Sequence, residues 1–228
     1  MRGQIALYLA IPVIGVAVCT SRGQGSAEDF YNLGVFEYAQ GDLERALADL
    51  DRAIDRDPKF AAAYLNRGTV KQAMGDLDGA IADDTRAIEL RPKDAEAYNN
   101  RGNAKTLKHD LDGAIADYTR SIELEPGKSG AYNNRAGAKF GKGDFAGAIA
   151  DFTHAIELEP EYAGAYRNRG NAKMSKNDLN GAIADYTRAI ELDPNDAKAY
   201  QSRGEAKVRK GDGASAEFDY TRARELKP

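Results

Sequence analysis

The chain of 228 residues has no tryptophan, one cysteine and two histidines. A lone Cys19 excludes an internal disulfide. His109 and His154 stand apart, and neither belongs to the H-E-x-x-H spacing of a helix-borne zinc site. There is no G-x-x-x-x-G-K-[ST] phosphate loop and no G-x-S-x-G nucleophile elbow, and no cysteine lies near a histidine. This inventory predicts no enzyme, no metal and no cofactor. Basic blocks are also missing: the formal charge is −4, and removing residues 1–26 takes Arg2, Arg22 and no acid, moving it from −4 to −6. An acidic chain of this kind is a poor polyanion ligand, so nucleic acid is discounted as a partner. Proline is confined to Pro12 and six evenly spaced sites, and the only long apolar run covers residues 5–19.

What is present is a period. The word Asn-Arg-Gly recurs at Asn66, Asn100 and Asn168 inside A-x-A-Y-x-N-R-G, with a constant step of 34 residues between tyrosines. With Ala27, Ala61, Ala95, Ser129, Ala163 and Ala197 as position 1, the chain divides without insertion into units 27–60, 61–94, 95–128, 129–162, 163–196 and 197–228. Position 4 is Phe30 or Tyr, position 8 is Gly or Ala136, position 20 is Ala, and position 32 is Pro from Pro58 to Pro228. Positions 1 to 14 lack proline and carry small or apolar residues at helical spacing, which reads as helix A. A Gly-Asp turn such as Gly75-Asp76 follows, with the aspartate placed to cap helix B. In the third unit Leu111, Ala114, Ile115, Tyr118 and Ile122 form an amphipathic stripe, and Pro126 ends it.

A helix pair this short cannot bury its apolar face alone, so the units are expected to stack. The pattern resembles the tetratricopeptide repeat (TPR) family, over about nine tenths of the chain. The expected fold is all-α, a right-handed α-solenoid of six antiparallel helix pairs, with Gly at position 8 facing Ala at position 20. The sixth unit carries Gly213, Glu217 and Arg224 where the third has Leu111, Ile115 and Ile122. That exchange predicts a terminal cap facing water, with no further solvating helix after Pro228.

Residues 1–26 differ in kind. Arg2, the apolar run and the polar stretch from Thr20 onward have the three regions of a secretory signal. Export to the periplasm or medium is expected, with cleavage near Ser21 or Ala27. An uncleaved N-terminal anchor is the alternative, and a buried helix is a third reading. Lipidation at Cys19 is disfavoured because Val18 is larger than the residue usual before such a cysteine. Any membrane contact is expected through this segment alone.

The charges are periodic, which argues for structure. Asp49, Asp83, Asp117, Asp151, Asp185 and Asp219 hold position 23, three residues before Arg52, Arg86, Arg120, His154, Arg188 and Arg222. The spacing predicts i,i+3 pairs on a solvated face of helix B. The position 7 arginines (Arg67, Arg101, Arg135, Arg169, Arg203) and position 11 lysines (Lys71 to Lys207) are expected to lie along the seam between helices with their charges reaching acidic groups. His109 and His154 read as drift at exposed positions. Asp84 replaces an aromatic at position 24 and is expected to open a polar notch in the second unit.

Helical phase turns positions 2, 6, 9 and 13 away from the packed seam, and the family resemblance assigns them to the concave wall. Position 6 carries Asn32, Asn66, Asn100, Asn134 and Asn168; Asn99, Asn103, Asn133, Asn171 and Arg167 flank them. An amide matches the C=O and N–H of a peptide unit, so the candidate peptide-binding groove comprises Asn66, Asn99, Asn100, Asn103, Asn133, Asn134, Arg167, Asn168 and Asn171. The competing reading is that position 6 bonds a neighbouring helix and spaces the repeats. The carboxylate clamp of some family members is not expected. Ser202 interrupts the pattern begun by Arg167 and Asn171, and Gly164 and Asn168 lack charge after Asn99, Asn103 and Asn134. By family analogy the chain is expected to be a non-enzymatic module binding an extended peptide or partner protein in its groove. The alternative is an envelope adaptor using the outer helix faces around Asp117 and Arg120.

Overall fold

Proline at position 32 and the turn near position 15 cut each unit into two segments, and each segment folds as one helix. The computed structural model describes residues 25–226; the leader over 1–24, Cys19 and Pro228 lie outside them. Among the described residues there are twelve helices and no strand: α1 (Ala27–Ala39), α2 (Leu43–Arg56), α3 (Ala61–Ala73), α4 (Leu77–Leu90), α5 (Ala95–Leu107), α6 (Leu111–Leu124), α7 (Ser129–Gly141), α8 (Phe145–Leu158), α9 (Ala163–Ser175), α10 (Leu179–Leu192), α11 (Ala197–Arg209) and α12 (Gly213–Glu225). No helix among them is long and apolar enough to cross a membrane. Odd helices are the A helices, and they start at position 1 of each unit.

Local chemistry sets the boundaries. Asp42, Asp76, Asp110, Asp144, Asp178 and Asp212 each accept the backbone N–H three residues on, satisfying a donor at the start of the B helix. The residue immediately before them is left-handed in every unit: Gly41, Gly75, Gly143 and Gly211 have φ between 82° and 91°. His109 (φ 61°) and Asn177 (φ 64°) hold the same conformation with a side chain. What reads as drift at His109 is therefore an L residue in a conformation suited to glycine.

Each helix packs on the next in the chain. Beyond that only consecutive A helices touch, as α3 does with α5 and α5 with α7; no two B helices meet among the described residues. The A helices thus line the inner side of a curved α-solenoid and the B helices form the outer side. At the junctions position 28 of one repeat packs with position 3 of the next, as Ile122 does with Ala131. On α12, Glu217 and Arg224 are exposed and bond each other at 3.0 Å.

One expectation about this core gains a second contact and one needs correction. Glycine at position 8 lies against position 20, where a Cβ on Gly34 would stand 3.1 Å from Ala46 O, and also under the side chain at position 24. A Cβ on Gly102 would stand 2.7 Å from Cε1 of Tyr118, so the ring is what requires the missing side chain. The aspartates of position 23 are not a solvated face: all six are buried. Arg101 grips Asp117 through Nε and Nη2 at 2.9 and 2.6 Å, and Lys105 adds a contact at 2.7 Å. The pattern repeats at Arg67, Arg135, Arg169 and Arg203. Each of these arginines also lies 5.4–5.7 Å from the centroid of its position 4 tyrosine. The position 26 arginines pair instead with position 29, as Arg86 does with Glu89 at 2.8 Å. The hairpin brings position 7 over position 23, and a bidentate guanidinium outcompetes a partner one turn along the helix. Only the first repeat keeps the expected pair, Arg52 with Asp49 at 2.7 Å, because Leu33 and Glu37 stand where other repeats have Arg and Lys.

Candidate functional site

The inner wall is built from the free faces of the A helices, and the nine candidate residues all lie on it, half-buried between successive repeats. The amides form a ladder with a register of 35 residues. Asn66 Nδ2 donates to the Tyr31 hydroxyl (3.2 Å), Asn134 Nδ2 to Asn99 Oδ1 (3.1 Å) and Asn168 Nδ2 to Asn133 Oδ1 (3.2 Å). Position 6 of one repeat therefore reaches position 5 of the repeat before. Asn134 also donates to Asn103 Oδ1 at 3.2 Å, and Asn133 donates to Asn134 Oδ1 at 3.4 Å. From below, Tyr118 donates to Asn103 Oδ1 and Tyr186 to Asn171 Oδ1, both at 2.8 Å.

Two members break the register for visible reasons. Asn100 would reach position 5 of the second repeat, which is the buried Leu65, and Asn100 makes no side-chain bond among the described residues. Arg167 pairs with Asp196, the last residue of its own repeat and the N-cap of α11, so its charge is already held. The amide ladder thus spaces the repeats, while the Nδ2 groups of Asn99 and Asn103 and the whole amide of Asn100 keep bonding capacity toward the groove. Position-by-position helical phase could not show this. The 35-residue offset between position 5 and position 6 is the signal that would have found it.

Between α5 and α7 the wall dips into a recess of about 310 Å³ lined by Gln72, Asn103, Thr106, Leu107, Tyr118, Asn133, Asn134, Gly137, Ala138 and Asn168. Leu107 is 55% exposed there, and a Cβ on Gly137 would meet nothing within 4 Å. Burial raises the pKa of Tyr118, so its hydroxyl stays a neutral donor at the floor. A larger open hollow of about 630 Å³ lies along the loop from Arg91 to Asp94 beside Glu125, away from the amides. It gathers no buried polar group.

The remaining candidates lie elsewhere. Asp84 is 1% exposed, so the expected notch does not open to the groove, and its Oδ1 has no hydrogen-bond partner. Burial, then repulsion by Asp83, pushes its pKa to about 8. Glu37 buries an Oε2 that is likewise unbonded, and burial, then Asp49, raises its pKa. His154 packs at a 49° tilt against Tyr132, ring centroids 4.8 Å apart, and contacts Glu157 at 3.2 Å on the outer side. No group of three or more histidine, cysteine, aspartate or glutamate side chains could hold a metal among the described residues.

Comparison with known proteins agrees with this architecture. The TPR repeat family matches residues 34–75, 71–108 and 170–211, and the tetratricopeptide repeat description matches 95–128 and 129–162. No curated protein matches the sequence. The solved structure of MamA is similar at 28% identity and a TM-score of 0.65, over 73% of this chain and 91% of that one. YrrB, described as a TPR protein with an unusual peptide-binding site, shares the fold at 20% identity and a TM-score of 0.63, over 78% of this chain and 92% of its own. PilW, described as a type IV pilus biogenesis factor, does so at 20% identity and a TM-score of 0.78, over 85% and 90% of the two chains. The period, the paired helices and these matches agree, and the chain belongs to the tetratricopeptide repeat family.

Proposed function

We propose that the chain is a non-enzymatic protein-interaction module that holds an extended stretch of a partner protein along its inner wall, centred on α5, α7 and α9. The observation that carries this reading is the recess beside Leu107, where the spare amide donor of Asn103 shares the lining with bare backbone at Gly137, while Asn99 and Asn100 stand on the same helix of the inner wall. Glycine inside a helix costs about 0.5–1 kcal/mol relative to alanine, and nothing within the fold needs its smallness at 137. Open backbone there lets a ligand chain approach closely, and amides can bond its peptide units whatever its side chains. The fold relative YrrB is itself described by a peptide-binding site, which is consistent with such use of the scaffold. On this reading residues 1–26 are an export signal, so the partner is sought outside the cytoplasm.

A photo-crosslinker placed at Leu107 or Gly137, compared with one at Arg120 on the outer side, tests the groove. Partner capture at the two inner sites and its loss in Asn100→Ala, which touches no internal bond, is the expected result. Capture at Arg120 alone would favour the adaptor reading and remove the groove. The mass of the mature protein separately decides whether the leader is cleaved and whether Cys19 carries lipid.

A further inference from the structure

The two ends of the array depart from the internal repeats in matched ways. At all five internal junctions an isoleucine at position 28 clusters with an alanine at position 3 of the next repeat, from Ile54 with Ala63 to Ile190 with Ala199. At the outer ends the same two positions are Arg224, with a side chain 69% exposed, and Asp29, also exposed. Position 10 packs on positions 17 and 21 of the preceding B helix, as Ala138 does on Leu111 and Ile115. At the outer ends these become Phe36, 59% exposed on α1, and Gly213 and Glu217 on α12.

An apolar pair has therefore become a pair of opposite charges, and a small residue meeting large ones has become a large residue facing a small one. Solubility of two free caps would explain the charges. It does not explain an exposed Phe36 with Leu33 beside it, 40% exposed where the other repeats carry arginine.

We propose that the end face of α1 in one copy of this chain docks on the end face of α12 in a second copy, continuing the solenoid head to tail. In that register Asp29 meets Arg224, which Glu217 of its own helix also contacts at 3.0 Å, and Phe36 enters the space that Gly213 leaves beside that pair. Asp29 Oδ2 accepts from the Ser26 N–H and from the Ser26 hydroxyl, both at 2.8 Å, which leaves Oδ1 for the arginine. A heterologous contact of this type uses different faces on the two copies and leaves an end open for the next. The face is one helix pair wide, at the low end of protein interfaces, so the association is weak and depends on concentration.

Sedimentation velocity on the full chain, as purified after processing by its host, reads this directly across a micromolar concentration series. The weight-average sedimentation coefficient is expected to rise with concentration. Asp29→Arg and Arg224→Asp should each weaken association more than about tenfold by placing like charges together. An equimolar mixture of the two variants should recover it, because each altered end then fits the other. Phe36→Glu should abolish association, with circular dichroism confirming that every variant keeps its helix. A chain that stays monomeric throughout, association indifferent to the charge variants, or failure of the mixture to recover overturns the proposal. So does an association that Phe36→Glu abolishes and Arg224→Asp leaves unchanged, as a head-to-head pair would give.

Discussion

Asp84 Oδ1 lies 2.8 Å from the point where a Cβ on Gly68 would stand, in the place that the Tyr118 ring takes against Gly102. The second repeat thus buries a carboxyl with an unbonded oxygen where the third buries a ring. Replacing Asp84 by Tyr or Leu is expected to stabilise the protein by about 1–3 kcal/mol, the usual penalty of an unsatisfied buried polar group. Urea unfolding compared with the parent chain checks this; a destabilised Asp84→Leu would show that the carboxyl has a partner.

The same residue gives stability a pH dependence. Its folded pKa, about 8, is above the unfolded value near 3.8, so between these limits the folded state binds the extra proton. Stability then falls as pH rises from about 4 to 8, by up to about 1.4 kcal/mol per pH unit. Asp151 works the other way. Burial opposes its ionisation, but bonds from Arg135 and Lys139 outweigh that and lower its pKa, so its contribution is present above the unfolded pKa and lost as pH falls through the folded one. Unfolding curves at pH 5 and pH 7.5 should show the alkaline loss in the parent and a smaller one in Asp84→Leu, where Glu37 keeps its share of the dependence.

The Arg101–Asp117 pair is expected to be costly to break and cheap to replace. Arg101→Ala leaves Asp117 buried with only Lys105 beside it and should destabilise by about 3 kcal/mol. Arg120→Ala, whose exposed partner is Glu123, should leave stability close to that of the parent. Because each repeat contacts only its neighbours, hydrogen exchange in α5 and α6 is the more local readout than a global melt. Equal effects of the two substitutions would refute the ranking.

His109→Gly and Asn177→Gly should each stabilise the array by about 1 kcal/mol, since both positions hold left-handed backbone that glycine adopts without a Cβ clash. For a chain of this size a shift of about 2–4 °C in midpoint per substitution is the expected signal. No shift, or a loss, would mean that the imidazole or amide makes up for its own backbone strain.

Asn100→Ala and Asn134→Ala should separate structure from recognition. Asn134 loses its bonds to Asn99 and Asn103 and should destabilise by about 1 kcal/mol, whereas Asn100 should be within about 0.5 kcal/mol of the parent. Thermal melts decide the stability half, and crosslinking to the partner decides the other.

Much of this was legible in the chain itself. The turn at Gly41 or Gly75 and the cap at Asp42 or Asp76 follow from single residues, because left-handed backbone and an orphan helix donor are local problems with local answers. That Asn134 and Asn168 face away from the packed seam follows from helical phase, and the family resemblance supplied the inner wall. The bonds those amides make were not legible, since phase describes one helix and the Asn134–Asn99 contact joins two.

The sequence alone determined the period, the twelve helices among the described residues and the order in which they stack, since each rests on contacts within a few residues or between adjacent units. The tertiary structure decided partners. Asp117 had an arginine three residues along its own helix and another 16 residues back, and the second won because the hairpin closes it over the carboxylate in a buried, bidentate grip. Which of several nearby charges a side chain takes depends on crossing and desolvation, and neither is written in the spacing of one helix.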